Sequence, residues 1–346
     1  MAKHHRVLLA LSLALMGAPI MTSTTASASS FEEAARAYQA GDFAAAREGL
    51  MAAATAGNSD AQFLLGTIYF NGEGIEPNHV EGLRWFRLAA DNGNPTAAFA
   101  LASAYRTGAG TERNDAEARR YFERAANGGS VPAKFELANM LMRGEGGTPD
   151  TERAVRLFEE TAAADHPGGL YATGAIYAAG EVRAQDLKRA ISYFKKAAEK
   201  GQADAAYNYG LMLVEGTGID KNPGDAVKWF EIAAAQGLPE AFTALGFLYG
   251  NGTGVELDEA KAASWFNEAA LRGDTLAQTR LARLYFLGKG VEKDLSAAYT
   301  WLSIARQGGQ DDPELAALLE PEMTPEGLAA AEEALKDWER ATKPAR

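Results

Sequence analysis

The chain has 346 residues, a formal net charge of −12 and no cysteine. The acidic balance argues against nucleic acid and anionic membranes as partners, since both require positive charge on the protein. The absence of cysteine excludes a disulfide framework and thiolate metal ligation, so the fold must hold by packing alone.

Residues 1–28 have the pattern of a signal peptide. Lys3, His4, His5 and Arg6 form a basic start, residues 7–16 are an apolar stretch too short to span a bilayer, and Ala26, Ser27 and Ala28 fit a small-x-small cleavage site. The expected destination is the periplasm or the exterior of a bacterial cell, with Ser29 as the first mature residue. Loss of Lys3 and Arg6 makes the net charge more negative by two. No later run approaches the ~20 apolar residues of a membrane span, so no membrane insertion of the mature chain is expected. Residues 29–59 read as an N-terminal helical pair, a degenerate repeat or cap, joined at Gly41, Asp42 and Phe43.

From residue 60 to 309 a 36-residue unit recurs seven times without insertion or deletion. Each opens on a small residue (Ala61, Ala97, Ala133, Gly169, Ala205, Ala241, Ala277), with a second small residue five positions on, Gly66 in the first unit and Gly246 in the sixth. A glycine follows in every unit (Gly72, Gly108, Gly144, Gly180, Gly216, Gly252, Gly288), and six units add another two positions later; the fourth has Val182 there. The second half carries a bulky pair such as Trp85-Phe86 or Trp265-Phe266, an alanine pair such as Ala233-Ala234, and a closing glycine, replaced in the third unit by Asp165. Small and apolar residues at i, i+4, i+5 and i+8 share one helical face. The glycine pair is read as the helix end, because glycine takes the left-handed conformation cheaply. The unit is therefore helix, turn, helix, and stacking is what buries its apolar face. Residues 310–346 read as C-terminal capping helices: Thr324, Pro325 and Glu326 make a helix start, followed by an apolar stripe of Leu328, Ala331, Leu335 and Trp338.

The pattern A-x-x-x-L-G-x-x-Y-x-x-G-x-G, then A-x-x-W-F-x-x-A-A-x-x-G, carried almost whole by residues 241–273, resembles the Sel-one-like repeat, a relative of the tetratricopeptide repeat. The resemblance implies an all-α fold, an α/α superhelical solenoid of seven repeats with capping helices, used as a non-enzymatic adaptor for a protein or peptide partner. Exported members suggest two roles, regulation of a sensor kinase through its external domain or scaffolding of envelope or exopolysaccharide machinery. Others are disulfide-stapled and linked to β-lactam hydrolysis, a reading that the missing cysteines disfavour.

The residues offer little chemistry. His79 and His166 stand apart from one another and from any second ligand at metal spacing. Gly72-Glu73-Gly74 and its copies have neither the preceding strand nor the following G-K-[ST] of a phosphate loop. Glu159 and Glu160 lie on a helix whose other face is core. No catalytic residue, metal or cofactor is expected; a hydrolase built from distant carboxylates is the rival reading. A carbohydrate-binding module is a second rival, suggested by Trp85, Trp229, Trp265 and Trp301, but their shared repeat position points to core between units.

Recognition is expected on the first helices, which line the concave side in the tetratricopeptide analogy. The third, seventh and tenth residues of each share a face. The third are Phe63, Phe99, Phe135, Tyr171, Tyr207, Thr243 and Thr279; the seventh are Thr67, Ser103, Asn139, Ala175, Leu211, Phe247 and Arg283; the tenth are Phe70, Arg106, Met142, Ala178, Val214, Gly250 and Phe286. All but Ala175, Ala178, Val214, Gly250, Thr243 and Thr279 are candidate partner contacts. Aromatics with scattered arginine are the composition of interface anchors, although rings at the third position also suit packing within the repeat. The fourth unit, with His166-Pro167-Gly168-Gly169 at its start and Glu181-Val182-Arg183-Ala184 in its turn, is expected to be a bend or soft point.

Overall fold

A computed structural model describes residues 25–342. The basic and apolar parts of the expected leader lie outside the described residues. The chain divides into two compact units between residues 113 and 114. The first contains α1 (Thr25–Gln39), α2 (Phe43–Thr55), α3 (Ser59–Asn71), α4 (His79–Asp91) and α5 (Pro95–Thr107). The second contains α6 (Asp115–Asn127), α7 (Val131–Arg143), α8 (Thr151–Ala163), α9 (Pro167–Ala179), α10 (Leu187–Glu199), α11 (Ala203–Glu215), α12 (Pro223–Ala235), α13 (Pro239–Asn251), α14 (Glu259–Leu271), α15 (Thr275–Leu287), α16 (Leu295–Gln307), the short α17 (Pro313–Leu319) and α18 (Pro325–Thr342). No strand occurs among the described residues.

Within each unit the helices pack on their sequence neighbours. Ala61, Ala133, Ala205 and Ala241 have no exposed surface, as close helix approach requires. The aromatic of each bulky pair closes the core, with Phe122 and Phe230 among the largest fully buried side chains. Trp85 is buried; Trp229, Trp265 and Trp301 are half-buried and pack against the core, Trp229 on Tyr209 and Trp265 on Phe242.

The helix ends show a division of labour between the two glycines that the pair as a whole does not reveal. The first, such as Gly252 (φ 65°), is the left-handed C-cap. The second is a close approach to the preceding repeat: a Cβ on Gly254 would lie 2.5 Å from the carbonyl carbon of Pro223, at the start of α12, and one on Gly218 would lie 2.6 Å from Leu187 Cβ, at the start of α10. The second glycine is left-handed too (Gly218 φ 73°, Gly254 φ 76°), so it turns the chain beyond the helix end as well as making room for the preceding repeat.

Helix starts follow a column of Asx residues with the same 36-residue period. Asp42, Asn78, Asn114, Asp150, Asp186, Asn222, Asp258 and Asp294 each accept a backbone N–H three residues on. Asp42 places the N-terminal pair in register with the repeats, and Gly57 (φ 92°) takes the place of the closing glycine. Asp165, at that same position, adopts φ 59°, the left-handed value of the glycines it replaces.

The fourth repeat begins with a capped helix of the same length as its neighbours despite its unusual opening residues. His166 caps α9, its Nδ1 accepting from Gly169 N at 3.2 Å, and Pro167 takes the first helical position. Gly168 makes room for the Phe135 ring, 2.6 Å from where its Cβ would stand. Its turn does differ: Arg183 reaches back to Glu152 and Glu159 on α8, each at 3.2 Å.

At the C-terminal end, Leu315, Ala316 and Leu319 of α17 close over Ala282, Ala298 and Leu302. Thr324 caps α18, accepting from Gly327 N at 3.1 Å. Ala331 is buried, and Trp338 meets Trp301 edge-on at 5.4 Å.

Candidate functional site

Most third-position rings turn toward their own repeat. Phe63 lies 5.7 Å from Phe86, Phe135 5.8 Å from Phe158, Tyr171 5.8 Å from Phe194 and Tyr207 5.6 Å from Phe230. All four stay half-buried, as does Phe99. The first four pack over the second helix's phenylalanine, and of these Tyr207 also lines the cavity described below.

Among the other candidates of the first unit, Phe70 is held between Phe86 (5.8 Å) and His79 (4.7 Å). Thr67 Oγ1 donates to Phe63 O, and Ser103 O accepts from Thr107; Arg106 is half-buried. In the second unit Asn139 donates to Phe135 O and Met142 is half-buried. Phe286 packs against the C-terminal core, with Lys293 Nζ 5.3 Å from its ring centre. Arg283 is engaged by the cap: its Nε donates to Asp312 Oδ2 at 2.5 Å, and Nη2 donates to Asp312 Oδ1 and Glu314 Oε2, both at 2.8 Å. As the structure stands, Arg283 is a brace between α15 and α17.

The remaining candidates, Tyr207, Leu211 and Phe247, come together around one cavity of about 290 Å³. From α11 it takes Tyr207, Leu211 and Val214, successive turns of one face. From α13 it takes Glu240, Thr243, Ala244, Phe247 and Leu248, and Phe230, Asp274 and Leu276 complete the wall. Phe247 is fixed edge-on against Phe266 at 5.2 Å, and Arg280 Cζ lies 5.2 Å from the Phe247 ring centre. Leu276 is 41% exposed at the rim.

The charged groups lining the cavity are acidic, and Tyr207 and Thr243 add hydroxyls. Asp274 caps α15 through Ala277 N (2.8 Å) and accepts from Thr243 Oγ1 (2.8 Å). Both donors are neutral, so neither is a counter-ion to the carboxylate. Glu240 is exposed and forms no ion pair among the described residues. Burial raises the Tyr207 hydroxyl pKa above its ordinary value, and Glu240, Asp274 and Glu215 push it further the same way.

Sequence reasoning passed over Val214, Thr243, Glu240, Asp274 and Leu276. A signal for the site was present: the third-position column runs Phe, Phe, Phe, Tyr, Tyr and then drops to Thr243. A ring is lost beside Tyr207, and space opens next to Ala244. No cluster of three or more His, Asp or Glu side chains that could hold a metal ion occurs among the described residues. None of their helices is long and apolar enough to cross a membrane.

Tandem hairpins of fixed length, glycine-capped first helices and alanine-lined contacts define an α/α-repeat protein of the solenoid class. The Sel1 repeat model matches residues 59–94, 95–130, 131–166, 167–202, 203–238, 239–274 and 275–310. The chain belongs to the Sel1 repeat family. It is similar to a protective antigen of uropathogenic Escherichia coli displaying an SLR fold, at 26% identity and a TM-score of 0.62, over 92% of this chain and 80% of that one. It is also similar to a Sel1 repeat protein from Oxalobacter formigenes, at 27% identity and a TM-score of 0.63, over 70% of this chain and 98% of that one. No curated protein matches it.

Proposed function

We propose that the protein is an exported, non-enzymatic adaptor that binds a segment of another protein on the face of its first helices. The cavity between α11 and α13 carries this reading: five recognition-position residues line it, three of them candidate contacts, and it has an apolar floor and an open rim. A cavity of this size lies at the lower edge of the range for small-molecule sites, ~300–1,000 Å³, and suits one or two side chains better than a cofactor. Export rests on the leader pattern of residues 1–28.

Two roles fit such an adaptor, binding the external domain of a sensor kinase or scaffolding envelope or exopolysaccharide machinery. Affinity capture from a bacterial envelope extract, run in parallel with wild type and Leu211→Asp, tests the reading. A protein retained by wild type and lost by the variant is the expected result, and its identity separates the two roles. Identical captures by both would remove the face from consideration. Turnover of a β-lactam or of cell-wall material by the purified chain would overturn the non-enzymatic part.

A further inference from the structure

The α11–α13 cavity combines two features that together constrain its occupant. Its walls are aromatic and aliphatic, which favours a large apolar side chain removed from water. Its charged lining groups are Glu240 and Asp274, neither paired with a cation: Asp274 is held by a hydroxyl and a backbone N–H, and Glu240 faces solvent. Glu215, at the end of α11, adds a third carboxylate acting on Tyr207. Arg280 is the counterweight, but it lies against the Phe247 ring rather than on either carboxylate.

Resting on the adaptor reading, we propose that this cavity receives a large apolar side chain from a protein segment that carries lysine or arginine beside it. The apolar group enters between Leu211, Val214 and Phe247, and the flanking cation meets Glu240 and Asp274. Complementary charge at a rim selects partners and speeds their encounter, while the buried apolar anchor supplies most of the affinity. An acidic segment is rejected at the same rim by like-charge repulsion.

The test uses the full chain and two fluorescein-labelled peptides, one with a central phenylalanine between lysines and a twin with glutamates in their place. Fluorescence anisotropy should show the lysine peptide binding at least about tenfold more tightly, a difference of ~1.4 kcal/mol. Glu240→Lys should reverse that preference, and Leu276→Ser should weaken the lysine peptide. Both substitutions lie at exposed positions, so they leave the core untouched. Equal binding of the twins, or no binding of either, overturns the proposal. A lysine preference that survives both substitutions also overturns it, since the peptide then binds elsewhere, while the adaptor reading stands and is judged by the capture experiment.

Discussion

Thr161 and Gly169 form a matched pair of sizes. In other repeats the first residue of the alanine pair, such as Ala197 or Ala233, precedes an opening alanine in the next repeat, such as Ala205 or Ala241. Here a threonine with no exposed surface faces a buried glycine, and a Cβ on Gly169 would run into Thr161 Oγ1, with Thr161 Cβ at 2.8 Å and Ala162 N at 2.9 Å behind it. Gly169→Ala is expected to cost about 1–3 kcal/mol by overpacking. Thr161→Ala in the same chain removes Oγ1 and should recover part of that loss, giving a non-additive double-mutant cycle in urea unfolding. Additive effects would show that the two side chains do not share the space. Both departures are visible in the sequence, but only their contact reveals that one compensates for the other.

Two helix starts carry charge-dependent interactions that are both lost as pH falls, in different pH ranges. At α9, burial lowers the His166 pKa, and Glu136 only partly offsets it. Its Nδ1 must stay unprotonated to accept from Gly169 N. A depressed folded-state histidine contributes stability that is fully present above the unfolded pKa of about 6.5 and is lost as pH falls toward the folded value. Greater protection of the amides at the start of α9 near neutral pH than in mild acid, relative to their intrinsic exchange at each pH, with the difference abolished in His166→Asn, is the expected hydrogen-exchange result.

At α17, burial raises the Asp312 pKa, but hydrogen bonds from Arg283 and Leu315 N and the nearby guanidinium charges outweigh it, so the carboxyl titrates below its ordinary value. Its contribution is present above the unfolded pKa of about 3.9 and disappears as pH falls below that. Arg283→Met should cost about 1–3 kcal/mol, the range for leaving a buried polar group without its partner. It should also remove most of the acid sensitivity of the C-terminal end, read as Trp301 and Trp338 fluorescence against pH. An unchanged acid transition in the variant would show that the pair does not hold the cap. The sequence identified Arg283 as a surface candidate because the repeat gives its position, whereas Asp312 lies beyond the repeats and its pairing depends on where α17 folds back.

Across the whole molecule the repeat period is the unit of stability, because each hairpin is buried by its neighbours. Deleting residues 203–238, one matched repeat, should leave a cooperatively folded helical protein, since Ala197 and Ala198 then meet Ala241 in place of Ala205. The same deletion removes Tyr207, Leu211 and Val214 and should abolish the cavity. Deleting only residues 203–220 should abolish cooperative unfolding, because it leaves α12 without its partner helix. Thermal melts followed by circular dichroism distinguish the two, and equally cooperative melts would refute the unit.

The sequence alone determined the all-α repeat, its period and its helix ends, since these follow from local spacing: glycine where φ is positive, small residues where backbones approach, Asx where a helix begins. It also contained the Asx column and the in-register Gly57 of the N-terminal pair, both legible once the period is laid over residues 42–57. Tertiary structure decided which positions of the recognition stripe open a cavity and which are packing or braces. That outcome depends on summed side-chain volumes and on ion pairs between residues about thirty positions apart, such as Arg283 with Asp312, quantities that a repeated local pattern does not encode.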